Sequence, residues 1–263
     1  MAARALAPVP GEPGRDKGER TRQRHAGTIA AVSSPYDSIA ELYDPWSASV
    51  VEDVAFYLEE ARRSGGPVLE LGVGTGRIAV PIAAEGIRVI GVDSSRGMLE
   101  VCARRAALAG VELDLRVGDL REPPVGEQVP LVICPFRSLL HMHTDEDRRS
   151  VLTAVRKLLL PDGRFVFDVF TPGAEDIART HDRWLEREPG IFERAVWDEI
   201  ARTLTLTVRG PDGETTMALA WLSADEWRAL LEGSGFEVEE CYGWFDRTPF
   251  MGGDDTVWIA RRT

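Results

Sequence analysis

The plainest chemistry in the chain lies in Val68-Leu69-Glu70-Leu71-Gly72-Val73-Gly74-Thr75-Gly76-Arg77. A short apolar run leads into three alternate glycines and then a helical pattern. Glycines at that spacing let the backbone turn tightly and leave no Cβ between loop and ligand. The helix that follows offers unpaired N–H groups and the positive end of its dipole. Arg77 stands where the dinucleotide fingerprint needs its third glycine. Glu70, at the strand's end, suits a cationic ligand, such as one carrying a sulfonium and an ammonium, better than a pyrophosphate. Asp93 ends the next apolar run, Val89-Ile90-Gly91-Val92-Asp93, where a carboxylate accepts both hydroxyls of a ribose. Asp93 serves either ligand; Glu70 together with G-x-G-x-G distinguishes them.

Further candidates lie downstream. Arg137 follows Leu131-Val132-Ile133-Cys134-Pro135-Phe136 and has two readings: a bidentate clamp for a substrate carboxylate, or a structural partner of Asp168 or Glu70. His141 is a candidate base beside the reacting atom, against the plainer reading of a packed loop histidine. His141 and His143 lack the accompanying cysteine and carboxylate cluster of a metal site, so no metal is expected. Trp184, Trp197 and Trp244 are candidate walls of a substrate cavity, although core packing accounts for most aromatics of the C-terminal half.

The elements that must position these residues alternate. Strands are expected at 67–71, 88–92, 112–117, 131–134 and 164–169, separated by helices at 78–85, 96–109 and from Thr144 to 160. Ser47 or Ser49 is expected to cap an earlier helix running to about Arg63, with Val51, Val54, Ala55 and Leu58 facing inward. Strands separated by helices imply right-handed crossovers and a parallel sheet. The alternation breaks after Thr171. The runs 193–209 and 215–222 read as antiparallel strands about Gly210-Pro211-Asp212-Gly213, an insertion (172–222) ahead of a helix capped by Ser223 and strands at 236–244 and 256–261.

In this order and spacing the motifs closely resemble the class I S-adenosylmethionine-dependent methyltransferases, of the small-molecule type (methyltransferase domain 25 or 11). V-L-E-L-G-V-G-T-G-R and V-I-G-V-D-S-S-R-G-M-L correspond to the first two motifs, Val117-Gly118-Asp119-Leu120 to the third, Leu131–Phe136 to the fourth and Leu158–Phe165 to the fifth. The resemblance runs from about Tyr36 to Phe170 and weakly beyond. It implies a Rossmann-like, doubly wound seven-stranded sheet, mostly parallel with an antiparallel last strand, plus the β-rich insertion. It also implies S-adenosyl-L-methionine as cofactor and S-adenosyl-L-homocysteine as product. Gly72, Gly74 and Gly76 would lie against the methionyl and ribose parts, with Glu70 and Arg77 in the same loop. Asp93 and Ser94 would hold the ribose, Met98 pack on adenine and Asp119, with Leu120, meet the adenine amino group. Pro135 and Phe136 would flank the transfer site, where Arg137 departs from the family's usual Asn or Tyr. Tyr36 and Tyr43, in Tyr36-Asp37-x5-Tyr43-Asp44, resemble the segment that closes over the cofactor, with Tyr36 a second catalytic candidate.

Composition bounds the partners. The formal charge is −12, and the Met1–Val32 stretch, with no hydrophobic period and read as a disordered tail, carries +3. The remaining methyltransferase domain, 33–263, is therefore near −15, which repels phosphate backbones and disfavours nucleic acid. No apolar run is long enough to span a bilayer, and the N-terminus lacks a secretory h-region. Three dispersed cysteines suit free thiols and a cytoplasmic setting. The expectation is methylation at N, O or C of a small metabolite by a monomer or homodimer. The alternatives are an RNA methyltransferase and a protein that binds the cofactor without catalysis.

Overall fold

The computed structural model describes residues 34–47, 51–211 and 213–263. The tail Met1–Val32 and the cap candidate Ser49 lie outside the described residues. Largely apolar runs form β1 (Val68–Leu71), β2 (Val89–Asp93), β4 (Val129–Cys134) and the second half of β5 (Leu159–Phe170), while the edge strand β3 (Asp114–Val117) mixes charged and apolar residues. The insertion supplies β6 (Trp184–Glu188), β7 (Ile191–Asp198), β8 (Thr203–Gly210) and β9 (Gly213–Ala220), and the chain ends with β10 (Phe236–Tyr242) and β11 (Asp255–Arg262).

The main sheet has the order β10-β11-β5-β4-β1-β2-β3. Its β1–β5 pairs are parallel, and β11 is antiparallel to both of its neighbours. The chain order runs outward both ways from β1, to β2 and β3 on one side and to β4 and β5 on the other, so a crevice opens at the carboxyl ends of β1 and β4. Side chains alternate into two apolar layers. Leu69, Leu71, Ile90 and Val132 pack with α5 (Asp145–Leu158) and α7 (Ala224–Glu232). Val68, Val89, Leu131 and Ile133 pack with α2 (Glu52–Ser64) and α3 (Ala79–Ala84). Covering both faces explains the near-continuous apolar strands.

Caps set the helix boundaries. Ser95 accepts from the Met98 N–H to open α4 (Arg96–Ala109), and Gly110, left-handed at φ 69°, closes it. Ser223 and Glu226 form a reciprocal capping box on α7. Thr144 caps α5, which stops at Leu158 because β5 begins at once; the Pro161–Gly163 turn is contained within that strand.

Three expectations need correction. Ser47 closes α1 (Ala40–Trp46) instead of opening α2, whose N-cap, Val51, makes no side-chain bond. The buried face of α2 is Asp53, Phe56, Tyr57, Glu60 and Ala61, while Val51 and Ala55 are exposed. Its carboxylates can face inward because arginines meet them there: Arg77 at Asp53 and Arg247 at Glu60. The 193–209 run is two strands, β7 and β8, turning at 199–202, and β6 is an additional partner. Together with β9 they form a separate four-stranded antiparallel sheet, preceded by the short α6 (Ala174–Thr180).

Candidate active site

The glycine loop leaves β1 with all three glycines at positive φ, a region open to glycine at no steric cost. Their neighbours differ. A Cβ on Gly72 would sit 2.6 Å from Ser138 Oγ, and one on Gly76 2.5 Å from Cys102 Sγ. A Cβ on Gly74 would meet only the Gly72 carbonyl, at 3.9 Å, and would project into open space. Two glycines thus serve packing, and the middle one keeps a cradle clear.

That cradle is the floor of a cavity of about 210 Å³, walled by Gly72, Gly74, Asp93, Ser94, Asp119, Leu120 and Ser138 and by Tyr36, Tyr43, Phe136 and His141. The Asp93 carboxylate receives the Gly74 N–H at 2.9 Å and the Ser95 N–H at 2.8 Å. Burial nevertheless outweighs these donors and holds its pKa above the usual range. Asp119 is gripped by Arg121, which also reaches Asp147 at 2.7 Å.

A second cavity of about 370 Å³ lies under the insertion sheet. Strand alternation turns Glu193, Ala195 and Trp197 of β7, Leu204 and Leu206 of β8, and Met217 and Leu219 of β9 towards it. Asp176, Asp254, Asp255, Arg137, Arg179, Pro172, Trp244 and Phe245 complete much of its rim. Six carboxylates (Asp53, Asp168, Asp176, Glu193, Asp254, Asp255) line it against three arginines.

Tyr36, Tyr43, Phe136 and His141 belong to both cavities. They form the partition at which a group in one cavity would meet a group in the other. Tyr36 and Tyr43 come from the 3₁₀ turn Pro35–Ile39 and α1, and the aspartate after each tyrosine clamps this segment down. Asp37 accepts from the Ser95 hydroxyl at 2.6 Å and from the Gly97 N–H at 3.0 Å. Asp44 accepts from the Thr75 hydroxyl at 2.6 Å and from Arg105 at 2.5 Å. Burial alone would raise the Asp37 pKa, but the bonds from Ser95, Gly97 and Ser34 outweigh it and hold it low.

The Tyr36 hydroxyl lies 2.9 Å from His141 Nε2 and 3.0 Å from Met217 Sδ. Burial pushes the Tyr36 pKa well up, and it does the same to Tyr43. Burial, with His143 nearby, pushes His141 down to about 4. Both members of the Tyr36–His141 pair are therefore neutral at neutral pH.

Phe136 and Arg137 have φ of 54° and 63°, consecutive non-glycine residues in the left-handed region. Each costs on the order of 1–3 kcal/mol and persists only where neighbours over-determine it. Here the determinant is Asp168, which accepts from the Phe136 N–H at 2.8 Å, the Arg137 N–H at 3.1 Å and the Tyr57 hydroxyl at 2.6 Å.

The structure sorts the expected site residues. Tyr43, Gly72, Gly74, Asp93, Ser94, Asp119, Leu120 and Phe136 line the glycine-loop cavity. Glu70, Gly76, Arg77, Met98 and Pro135 are not among its lining residues. Arg77 is held by both oxygens of Asp53, at 2.5 and 2.6 Å, and its guanidinium lies 4.9 Å from the Phe136 ring centroid. Met98 and Pro135 are buried in the structure around the loop. Glu70 is buried, its pKa driven well up by desolvation, and its Oε2 has no hydrogen-bond partner within the protein. Arg137 does form an ion pair, but its side chain reaches Asp255 at 2.8 Å; only its backbone N–H meets Asp168, and Glu70 is not its partner. Trp197 and Trp244 line the insertion cavity, whereas Trp184 does not. Its cross-strand neighbour is Arg194, on the face opposite Glu193 and Ala195, so period-2 alternation sends it outward beneath Arg209, 4.0 Å from its ring centroid.

Sequence reasoning gave no site role to Asp53, Tyr57, Asp255 or Met217, and considered Asp168 only as a partner for Arg137. A carboxylate inside the apolar run Phe165-Val166-Phe167-Asp168-Val169-Phe170 was the available signal. Among the described residues, no group of three or more His, Cys, Asp or Glu is arranged to hold a metal ion, and no helix is long and apolar enough to cross a membrane.

Residues 68–163 match the family model described as a methyltransferase domain. A putative methyltransferase of Geobacillus sp. (strain WCH70) is 25% identical over 232 residues, covering 84% of this chain and 93% of that one. The dTDP-4-amino-2,3,4,6-tetradeoxy-D-glucose N,N-dimethyltransferase of Saccharopolyspora spinosa is 28% identical over 242 residues, covering 82% and 92%. The structure of the CcbJ methyltransferase from Streptomyces caelestis superposes with a TM-score of 0.77 at 26% identity, covering 88% of this chain and 98% of that one. The chain is a class I S-adenosylmethionine-dependent methyltransferase. Its cofactor is S-adenosylmethionine, and the cavity fits that group in two respects: the open cradle at Gly74 and the Asp93 carboxylate at the end of β2.

Proposed function

We propose that the enzyme methylates an amine nitrogen of a small metabolite, with the cofactor in the glycine-loop cavity and the acceptor in the insertion cavity. The observation that carries the choice of nitrogen is the neutral Tyr36–His141 pair at the partition. A hydroxyl acceptor usually needs a general base whose pKa lies near the working pH. A histidine pushed to about 4 drives that proton transfer poorly. An unprotonated amine already carries its lone pair and needs only alignment, which is worth ~7–11 kcal/mol when geometry is fixed.

Bound S-adenosylmethionine supplies an activated methyl on a sulfonium whose thioether leaves readily. The protein's own residues do the rest. Asp93 and Ser94 hold the ribose, and Asp119 and Leu120 flank the adenine. Tyr36, Tyr43 and Phe136 exclude water from the partition, and Tyr36 with His141 orients the nitrogen. Excess carboxylates around the insertion cavity stabilise the positive charge that develops on the neutral amine as it takes the methyl, while Trp197 and the β8–β9 aliphatics cover the acceptor's apolar body. The Saccharopolyspora relative, whose name specifies N,N-dimethylation of an amino sugar nucleotide, supports the same class. The dispersed free cysteines, two of them buried, support a cytoplasmic setting, where the enzyme acts as a monomer or homodimer.

The test is transfer of labelled methyl from S-adenosylmethionine to matched pairs of small acceptors differing only in an amino or hydroxyl group. Label is expected in the amines; label confined to hydroxyl members contradicts the proposal.

A further inference from the structure

The partition between the cavities depends on a residue that lines the insertion cavity but not the glycine-loop cavity, Asp168. Phe136 walls both cavities, and Arg137 begins the 3₁₀ turn Ser138–His141 that carries His141. Both residues stand at positive φ, so the loop does not hold its shape unaided. Three donors converge on the buried Asp168 carboxylate: the two loop N–H groups and the hydroxyl of Tyr57 on α2. Oδ1 accepts from Tyr57 and Phe136, and Oδ2 accepts from Arg137. A carboxylate, being acceptor-only, satisfies all three; an acid or an amide replaces an acceptor with a donor facing an N–H.

We infer that Asp168 and Tyr57 form a positioning pair that fixes the Phe136–His141 segment for cofactor binding and methyl transfer. The inference rests on the glycine-loop cavity being the cofactor site. The pair joins three elements that meet behind the partition, β5, α2 and the loop after β4, and so ties cavity shape to one ionisation state. Burial pushes Asp168 up to about 6, against the Tyr57 hydrogen bond, which favours the charged form. The other titratable groups acting with Asp168 are Tyr43 of α1, Asp53 of α2, Arg77 of the glycine loop, Cys134 of β4 and Arg137 of the loop; Asp255 of β11 acts through Arg137. Protonation therefore removes one of the loop's anchors as pH falls through about 6.

Calorimetric titration with S-adenosylhomocysteine across pH 5 to 8 tests the pair without needing an acceptor. The wild type is expected to bind tightly at the upper end and to lose affinity, by about tenfold, as pH falls through about 6. Tyr57→Phe removes the donor that favours the carboxylate, so its midpoint moves to higher pH. Asp168→Asn is expected to bind about tenfold more weakly at the upper end, with the Tyr57-sensitive transition gone. Asp93 also titrates in the cofactor cavity, but Tyr57 makes no bond to it, so the Tyr57→Phe displacement identifies Asp168. Thermal melting confirms that each variant is folded, and Tyr57→Phe alone carries the test if the asparagine variant is not. Wild-type protein that binds S-adenosylhomocysteine at pH 7.5 but has the same midpoint as folded Tyr57→Phe, or no transition, overturns the pair and leaves the cofactor site standing.

Discussion

The two cavities that meet at Tyr36, Tyr43, Phe136 and His141 are built in opposite ways. Much of the glycine-loop cavity, proposed to hold the cofactor, is made at the carboxyl ends of adjacent parallel strands, from short runs after β1, β2, β3 and β4. Each run is local, and the sheet brings them together. The insertion cavity, proposed to hold the acceptor, draws instead on α2, the loop after β4, a separate antiparallel sheet, and segments before and within β11. Its polar groups are bound to one another across long sequence separations, as in Arg137 to Asp255 and Trp46 to Glu193. A cofactor shared by a whole family can be met by a fixed local design. An acceptor is met by whatever covers the crevice, and in the proposed arrangement the cover is the clamped N-terminal segment and the insertion.

Substitutions on the two sides should therefore separate cofactor affinity from acceptor use. The largest effect is expected from Asp93→Ala, which removes the carboxylate assigned to the ribose. S-adenosylhomocysteine affinity should fall ~100-fold, as expected for loss of two charge-assisted bonds, with the circular dichroism spectrum retained. Unchanged affinity in a calorimeter would overturn the assignment. Tyr36→Phe, at the partition, deletes the bond to His141 and should lower kcat by ~10–100-fold, leaving cofactor affinity within about twofold. A loss confined to cofactor binding would move Tyr36 out of the transfer site. On the acceptor side, Trp197→Ala should raise the acceptor KM ~10-fold by removing buried aromatic area. Trp184→Ala, facing outward under Arg209, should leave KM unchanged; equal effects of the two would contradict the assigned strand faces.

The smallest expected effect concerns pH and stability. The His141 ring is pushed from 6.5 down to about 4, so the unfolded chain takes up its proton at higher pH than the folded one. The contribution is present above about 6.5 and is lost as pH falls towards about 4. Across that window the melting temperature of the wild type should fall relative to His141→Gln. Parallel curves would mean that the ring is more solvated than its contacts indicate.

The same contrast explains what the sequence made legible. The glycine-loop cavity was readable in part because its residues lie close to their own strand: G-x-G-x-G and Asp93 stand at the ends of β1 and β2, and Asp119, singled out by the resemblance, lines the same cavity. Gly110 as a helix terminator was legible for a similar reason, whereas the antiparallel direction of the final strand came from the family resemblance. The inward face of α2 was not, because Asp53 and Glu60 look like solvent-facing residues until Arg77 and Arg247 are in place. Arg137 had two readings, a substrate clamp or a structural partner of Asp168 or Glu70, and nothing local in the sequence points to Asp255 as its partner. Trp184 and Trp197 are equally aromatic, and only the register against β7 separates the outward ring from the inward one. The Tyr57–Asp168 bond joins residues 111 apart, beyond any periodicity.

The most direct test of the two-cavity arrangement is a crystal structure of the protein with S-adenosylhomocysteine. The expected result has the ribose on Asp93 and the homocysteine sulfur facing the Tyr36–Tyr43–Phe136–His141 partition, with the insertion cavity open beyond it. A sulfur turned away from that partition, or a nucleoside seated outside the Gly74 cradle, would contradict the arrangement.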